Sequence, residues 1–162
     1  MRLLACFLQF LLCCCNFSDA YRYVVTTYTG DRFGAGTDAR VFFKLFGSNG
    51  KTDEKELKSS GRDNFERGQI DTFLLDGKDV GRIKKAEIRH DNSWLGPGWY
   101  LEKLTATSED GDYYEFPVHK WLDKHQDDGK TIRELVPKLI QKEQISKKDE
   151  ILNEEPRQPL GN

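Results

Sequence analysis

The chain has 162 residues, with 25 Lys and Arg against 27 Asp and Glu, and a formal charge of −2. A balance this close gives no electrostatic case for nucleic acid as a partner. Beyond the N-terminus no segment is long and apolar enough to span a bilayer. The N-terminus reads as a leader. Arg2 gives a short positive start, Leu3 to Cys15 is an apolar run, and Ser18 and Ala20 place small residues where a signal peptidase cuts. Residues 1–20 are expected to be a signal peptide and the product to be secreted; an uncleaved anchor or a buried first element is the alternative. All four cysteines (Cys6, Cys13, Cys14, Cys15) and the one Asn-X-Ser sequon, at Asn16, lie in that segment. The mature chain is therefore expected to carry no disulfide framework, and about 140 residues must supply an ordinary core.

Strand-like runs follow in order. They are Tyr21 to Thr29, Val41 to Phe46, Thr72 to Leu75, Arg82 to His90, Trp99 to Thr107 and Tyr113 to Phe116, all rich in β-branched and aromatic residues. Between them stand Gly47-Ser48-Asn49-Gly50, Asp76-Gly77, Gly96-Pro97-Gly98 and Glu109-Asp110-Gly111-Asp112. Short strands punctuated by turn residues predict an antiparallel β-sandwich or barrel, and the glycines interrupt any helical stripe too often. From Lys138 the chain becomes Lys/Glu/Gln-rich and loses its aromatics. Residues 138–162 are expected to form a charged, partly helical or disordered tail, with a partner-binding role as the alternative.

Two segments put hard oxygen donors beside glycine turns: Gly34-Ala35-Gly36-Thr37-Asp38 and Asp63-Asn64-Phe65-Glu66-Arg67-Gly68. Calcium takes six to eight oxygens in flexible geometry, so these loops form a candidate metal site if they are neighbours in space. The candidate ligands are Thr37, Asp38, Asp63, Asn64 and Glu66, with carbonyls of Gly34 and Gly36. The competing reading makes Asp38 and Asp63 turn and cap residues with local hydrogen bonds. Trp94-Leu95 sits among turn formers, and Phe33 lies between Arg32 and Gly34. These side chains either meet a membrane interface or fold back on the sandwich, whereas Trp99 opens a strand and reads as core. Arg82, Lys84, Lys85 and Arg89 form a basic strand that is a solvated face or one attractive to anionic lipid. The histidines His90, His119 and His125 show no metal-ligand spacing, and Ser59-Ser60-Gly61 lacks the setting of a nucleophile elbow.

Taken together, Gly34 to Asp38, Asp63 to Gly68 with Asp71-Thr72-Phe73, Trp94 to Leu101, and Gly111 to Pro117 leading to Trp121 resemble the PLAT domain of lipoxygenases, polycystins, lipases and clostridial alpha-toxin. The resemblance covers roughly residues 21–137. It implies a sandwich of two four-stranded sheets that docks to membranes or proteins, often with calcium. It places calcium ligands at Gly36, Thr37, Asp38, Asp63, Asn64 and Glu66, with the order Asp63-Asn64 swapped relative to the lipoxygenase form. It also implies lipid-inserting side chains at Phe33, Trp94, Leu95 and Trp121. A second ion site in the family draws acids from the loop before the Trp-Tyr strand. Here that loop is Gly96-Pro97-Gly98, so only Asp31 or Asp91 could replace them.

No catalytic constellation accompanies these residues. The expected function is a secreted, non-enzymatic, calcium-assisted module for membrane lipids. The alternative is a protein-interaction domain with structural calcium, serving as accessory to a separate lipid-metabolising enzyme.

Overall fold

The computed structural model describes residues 20–140. Residues 1–19, which include the four cysteines and nearly all of the expected signal peptide, and residues 141–162 of the expected tail lie outside the described residues. Among the described residues there is no helix, and hence none that could cross a membrane. The elements are β1 Tyr21–Thr29, β2 Val41–Gly47, β3 Gly50–Lys51, β4 Lys55–Glu56, β5 Ile70–Gly77, β6 Ile83–His90, β7 Trp99–Ser108, β8 Tyr113–Leu122, β9 Ile132–Leu135 and β10 Lys138–Ile140. They build the expected antiparallel sandwich.

The first sheet runs β10-β8-β7-β1-β5; its four long strands are joined at one edge by the three-residue β10. The second runs β3-β2-β6-β9. β4 pairs with β2 at Phe42 and Phe43 while β3 pairs at Phe46 and Gly47, so the two short pieces act as one interrupted fourth strand. The six runs read from alternation all become strands. β3, β4, β9 and β10 escape sequence reading because two to four residues carry too little periodicity. β10 falls where the tail was expected to begin, and it forms because β8 offers an open edge to Lys138–Ile140.

Alternation decides the core. Along β1, Tyr23, Val25 and Thr27 point inward, and along β2, Val41, Phe43 and Leu45 do the same. Trp99, Tyr114 and Phe116 join them as fully buried side chains. The polar ends of the large aromatics are met inside. The Trp99 indole donates to Thr29 Oγ1 at 3.0 Å, the Val80 amide donates to the Tyr23 hydroxyl at 3.0 Å, and the Ile83 amide to that of Tyr114 at 3.3 Å.

The outer face of the second sheet is solvated through charge. Lys44–Glu87, Lys85–Glu134 and Arg89–Glu54 pair across strands, and Phe42 and Phe46 lie under Arg89 and Lys85. Of the four residues of the basic strand noticed in the sequence, Lys85 and Arg89 are thus neutralised, while among the described residues Arg82 and Lys84 form no ion pair.

Antiparallel register gathers the long loops at one end. Tyr28 pairs with Ile70, Trp99 with Leu122, Val41 with His90 and Arg89 with Ile132. Loops 30–40, 57–69, 91–98 and 123–131 consequently leave the sandwich side by side.

His90 anchors this end. It is buried; the Asn92 amide donates to Nδ1 at 3.1 Å, so Nε2 carries the proton and donates to the Leu122 carbonyl at 2.8 Å. Burial pushes the imidazole below its ordinary value, and the Leu122 bond offsets part of that. An unfolded histidine titrates near about 6.5, so this site binds more protons when unfolded. Its contribution to stability is complete above that pH and declines as pH falls toward the lowered folded value. The melting temperature is expected to drop between about pH 7.5 and about pH 5.5, a window above carboxylate titration. His90→Gln should flatten that window while costing about 1–3 kcal/mol at neutral pH; calorimetry of both proteins across the window checks it.

Candidate metal site and apolar loop tips

The two oxygen-rich loops meet. The Thr37 amide donates to the Phe65 carbonyl at 3.1 Å. Gly36 makes this approach possible: a Cβ there would lie 3.0 Å from the Arg67 nitrogen and 3.1 Å from the Phe65 oxygen. One carboxylate oxygen from each of Asp38, Asp63 and Glu66 falls within 4.8 Å of the others, and all three residues are exposed. Ligand oxygens lie about 2.3–2.6 Å from calcium, so oxygens sharing one ion are at most about 5 Å apart. No carboxylate of the three forms an ion pair among the described residues. Partial burial, then the charges of Asp63 and Asp38, raise the Glu66 carboxyl above its ordinary value. The donor set is hard, anionic and convergent, which fits Ca²⁺. Gly34, Gly36 and Gly96 line the same open depression beside Asp38 and Glu66.

Two other candidate ligands are engaged in the framework. Thr37 is buried; its hydroxyl donates to the Pro97 carbonyl at 2.9 Å and accepts from the Ala39 amide at 3.1 Å. The Asn64 side chain accepts from the Ser59 amide at 2.9 Å and donates to Asp71 at 2.9 Å. These bonds hold both side chains in the framework of the two loops. Asp31 and Asp91, the substitutes for a second site, are also occupied. Asp31 pairs with Arg67 at 2.7 Å, and Asp91 accepts from Arg40 Nε at 2.8 Å and the Ser93 amide at 3.0 Å.

Asp71 was not a sequence candidate, yet it organises the site. It is buried, accepts the Phe65 amide at 2.8 Å and the Asn64 amide group, and so fixes the turn that carries Asp63 and Glu66. Phe65 adopts a left-handed conformation with φ of 65°, while its ring stacks on Phe73 at 5.5 Å and meets Trp99 edge-on at 5.1 Å. The sequence does hold a signal: Asp71 has the inward parity of Phe73, and an inward carboxylate requires donors.

The apolar side chains stand at the same end. Phe33 is 94% exposed, Leu95 96% and Trp94 76%. Trp94 holds φ at 68°, a costly conformation for a bulky residue, at the tip of its loop. A groove between Trp94 and Asp38, Arg40, Lys58 and Asp63 links it to the acidic cluster. Trp121 differs: it is half-buried and packs edge-on against Tyr100 at 5.4 Å. Arg32 covers the same Tyr100 ring at 3.6 Å, and that ring occupies the space a Cβ on Gly30 would need.

A family model described as the PLAT/LH2 domain matches residues 23–136. The chain is 40% identical over 116 residues to human lipoxygenase homology domain-containing protein 1, spanning 71% of this chain and 6% of that protein. It is 42% identical over 106 residues to the mouse polycystin family receptor for egg jelly, spanning 64% and 5% respectively. The chain thus spans a small fraction of the curated relatives it matches. Among solved structures, coral 8R-lipoxygenase, described with calcium activation via a C2-like domain, superposes with a TM-score of 0.65 at 26% identity over 82% of this chain and 20% of that one. A calcium-dependent 11R-lipoxygenase gives 0.57 at 28% identity over 83% and 21%.

Replacing Asp71 by Ala leaves the Phe65 amide and the Asn64 amide group without their acceptor. Asp71→Ala is expected to cost about 2–4 kcal/mol in urea unfolding. A loss under about 1 kcal/mol would show that the carboxylate does not organise the turn.

Proposed function

The chain belongs to the PLAT/LH2 domain family, and from that premise we propose that it is a secreted, calcium-assisted membrane-binding module without catalysis of its own. One observation carries the reading: the carboxylates of Asp38, Asp63 and Glu66 converge on the end of the sandwich that also projects Phe33, Trp94 and Leu95. The calcium-linked descriptions of the two lipoxygenase neighbours support it.

The physical sequence is simple. Without an ion, three exposed carboxylates sit beside the apolar tips and are repelled by anionic head groups. An ion held by Asp38, Asp63 and Glu66 cancels that charge, and leaves coordination positions for phosphate or carboxylate oxygens of lipid. Phe33 and Leu95 then enter the acyl boundary, while Trp94 keeps its indole nitrogen at the head-group level. Trp121 braces Tyr100 under Arg32 and supports the loops from behind.

The test is co-sedimentation with anionic and neutral liposomes, in calcium and in chelator. Calcium-dependent pelleting is expected. Asp38→Ala or Glu66→Ala should weaken calcium binding at least tenfold, about 1.4 kcal/mol. Trp94→Ala should weaken pelleting by a similar factor, with the fold and the calcium affinity unchanged. Folded protein that never pellets, or variants that bind as the parent does, would overturn the proposal.

A further inference from the structure

Among the described residues, six cations lie over aromatic rings, and five of them also hold a carboxylate. Arg40 and Arg89 over Phe42 pair with Asp91 and Glu54. Lys44 and Lys85 over Phe46 pair with Glu87 and Glu134, and Lys103 over Tyr28 pairs with Glu115. The sixth is Arg32 over Tyr100. Among the described residues its guanidinium forms no ion pair and donates no hydrogen bond. Asp31, its neighbour in the chain, is taken by Arg67 at 2.7 Å.

The loop that carries Arg32 is tied to Tyr100 on both sides. The Gly30 amide donates to the Tyr100 carbonyl and the Tyr100 amide to the Ala35 carbonyl, both at 3.0 Å. The ring is buried, meets Trp121 edge-on, and has the guanidinium carbon 3.6 Å from its centre. Between these anchors the Ala35 amide donates to the Arg32 carbonyl at 3.1 Å, and Gly34 takes a φ of 71°, as the third position of a type II turn requires. Phe33 fills the second position of that turn and is 94% exposed. An unpaired cation is thus held on a fixed aromatic seat, one residue before an apolar tip.

We propose that Arg32 binds the phosphate of a membrane phospholipid as Phe33 enters the bilayer. A guanidinium suits this place. It is always charged, is weakly hydrated, stacks on an aromatic face, and presents a planar fork of donors that matches two phosphate oxygens. Contact with the Tyr100 ring uses the face of the fork and leaves its edge for an acceptor. The seat also lowers the side-chain entropy lost on binding, because the rotamer is already held. Neighbouring Cα atoms are about 3.8 Å apart, so a Phe33 ring in the acyl boundary sets Arg32 at the depth of the head groups.

This contact rests on the membrane reading and adds to it a phosphate ligand supplied by the protein itself. Asp38, Asp63 and Glu66 repel a phosphate until an ion covers them, whereas Arg32 attracts it directly.

Co-sedimentation of the full chain with vesicles of phosphatidylcholine and phosphatidylserine, in calcium and over a salt series, tests the contact. Arg32→Gln should bind about tenfold more weakly wherever the parent pellets, with circular dichroism and lipid-free calcium affinity unchanged. Arg32→Lys keeps the charge without the planar fork and should remain at least about threefold weaker than the parent. Arg62→Gln removes the same charge from loop 57–69, where no ring seats it, and its deficit should fade as salt rises. If the parent never pellets, the membrane reading fails and this contact falls with it. If the parent pellets and Arg32→Gln matches it, the membrane reading stands and the role of Arg32 is overturned. Full binding by Arg32→Lys, or an Arg32→Gln deficit that fades with salt as that of Arg62→Gln does, also overturns it, because charge alone would then suffice.

Discussion

A carboxylate buried at the start of a strand has to be met by donors, and much of the functional end depends on how Asp71 is met. Its two oxygens take the Phe65 amide and the Asn64 side chain. Those bonds hold Phe65 in a left-handed turn while its ring packs into the core against Phe73 and Trp99. Core packing and a buried charge thus act on one residue from opposite sides. The result is a Phe65 carbonyl turned toward the Thr37 amide, and through it two loops clasped so closely that a Cβ at Gly36 would crowd the facing backbone. The acid that never reaches the cluster is the one that positions it.

The two outer faces of the sandwich meet water differently. On the second sheet, ion pairs and cation–aromatic contacts cover Phe42 and Phe46, so its apolar surface is screened by long basic side chains. On the first sheet, Val24, Ile70 and Leu74 stand uncovered among threonines, with Lys103–Glu115 as an internal pair. The loop tips add a third surface, where exposed apolar side chains border exposed acids. Exposed apolar residues are common singly, as Val24, Ile132 and Val136 are here, but Phe33, Trp94 and Leu95 gather at one loop end.

Much of the fold was legible because its signals are local. Strand-like runs of four to nine residues mark β1, β2, β5, β6, β7 and β8, although β5 and β8 extend well beyond the four residues read for each. Trp99 as core follows from its place at the start of such a run. The short strands β3, β4, β9 and β10 were not legible, since each exists only because a longer neighbour offers it hydrogen bonds. The site was legible in its acids but not in its polar neighbours. Thr37 and Asn64 have the chemistry of ligands, and nothing nearby in sequence reveals their bonds to Ala39, Pro97, Ser59 and Asp71. Trp94 and Trp121 are alike on paper; only the packing of Trp121 on Tyr100 distinguishes a brace from an exposed tip.

The sequence by itself determined that this chain is an antiparallel sandwich of its family with oxygen-bearing loops, because period, turn chemistry and motif order are properties of neighbouring residues. Only the tertiary structure decided which acids converge and which side chains serve the framework. Those outcomes depend on partners far apart in the chain. Thr37 and Pro97 are 60 residues apart and Phe65 and Trp99 are brought together only by the sandwich, and such meetings are fixed by register and packing rather than by local preference.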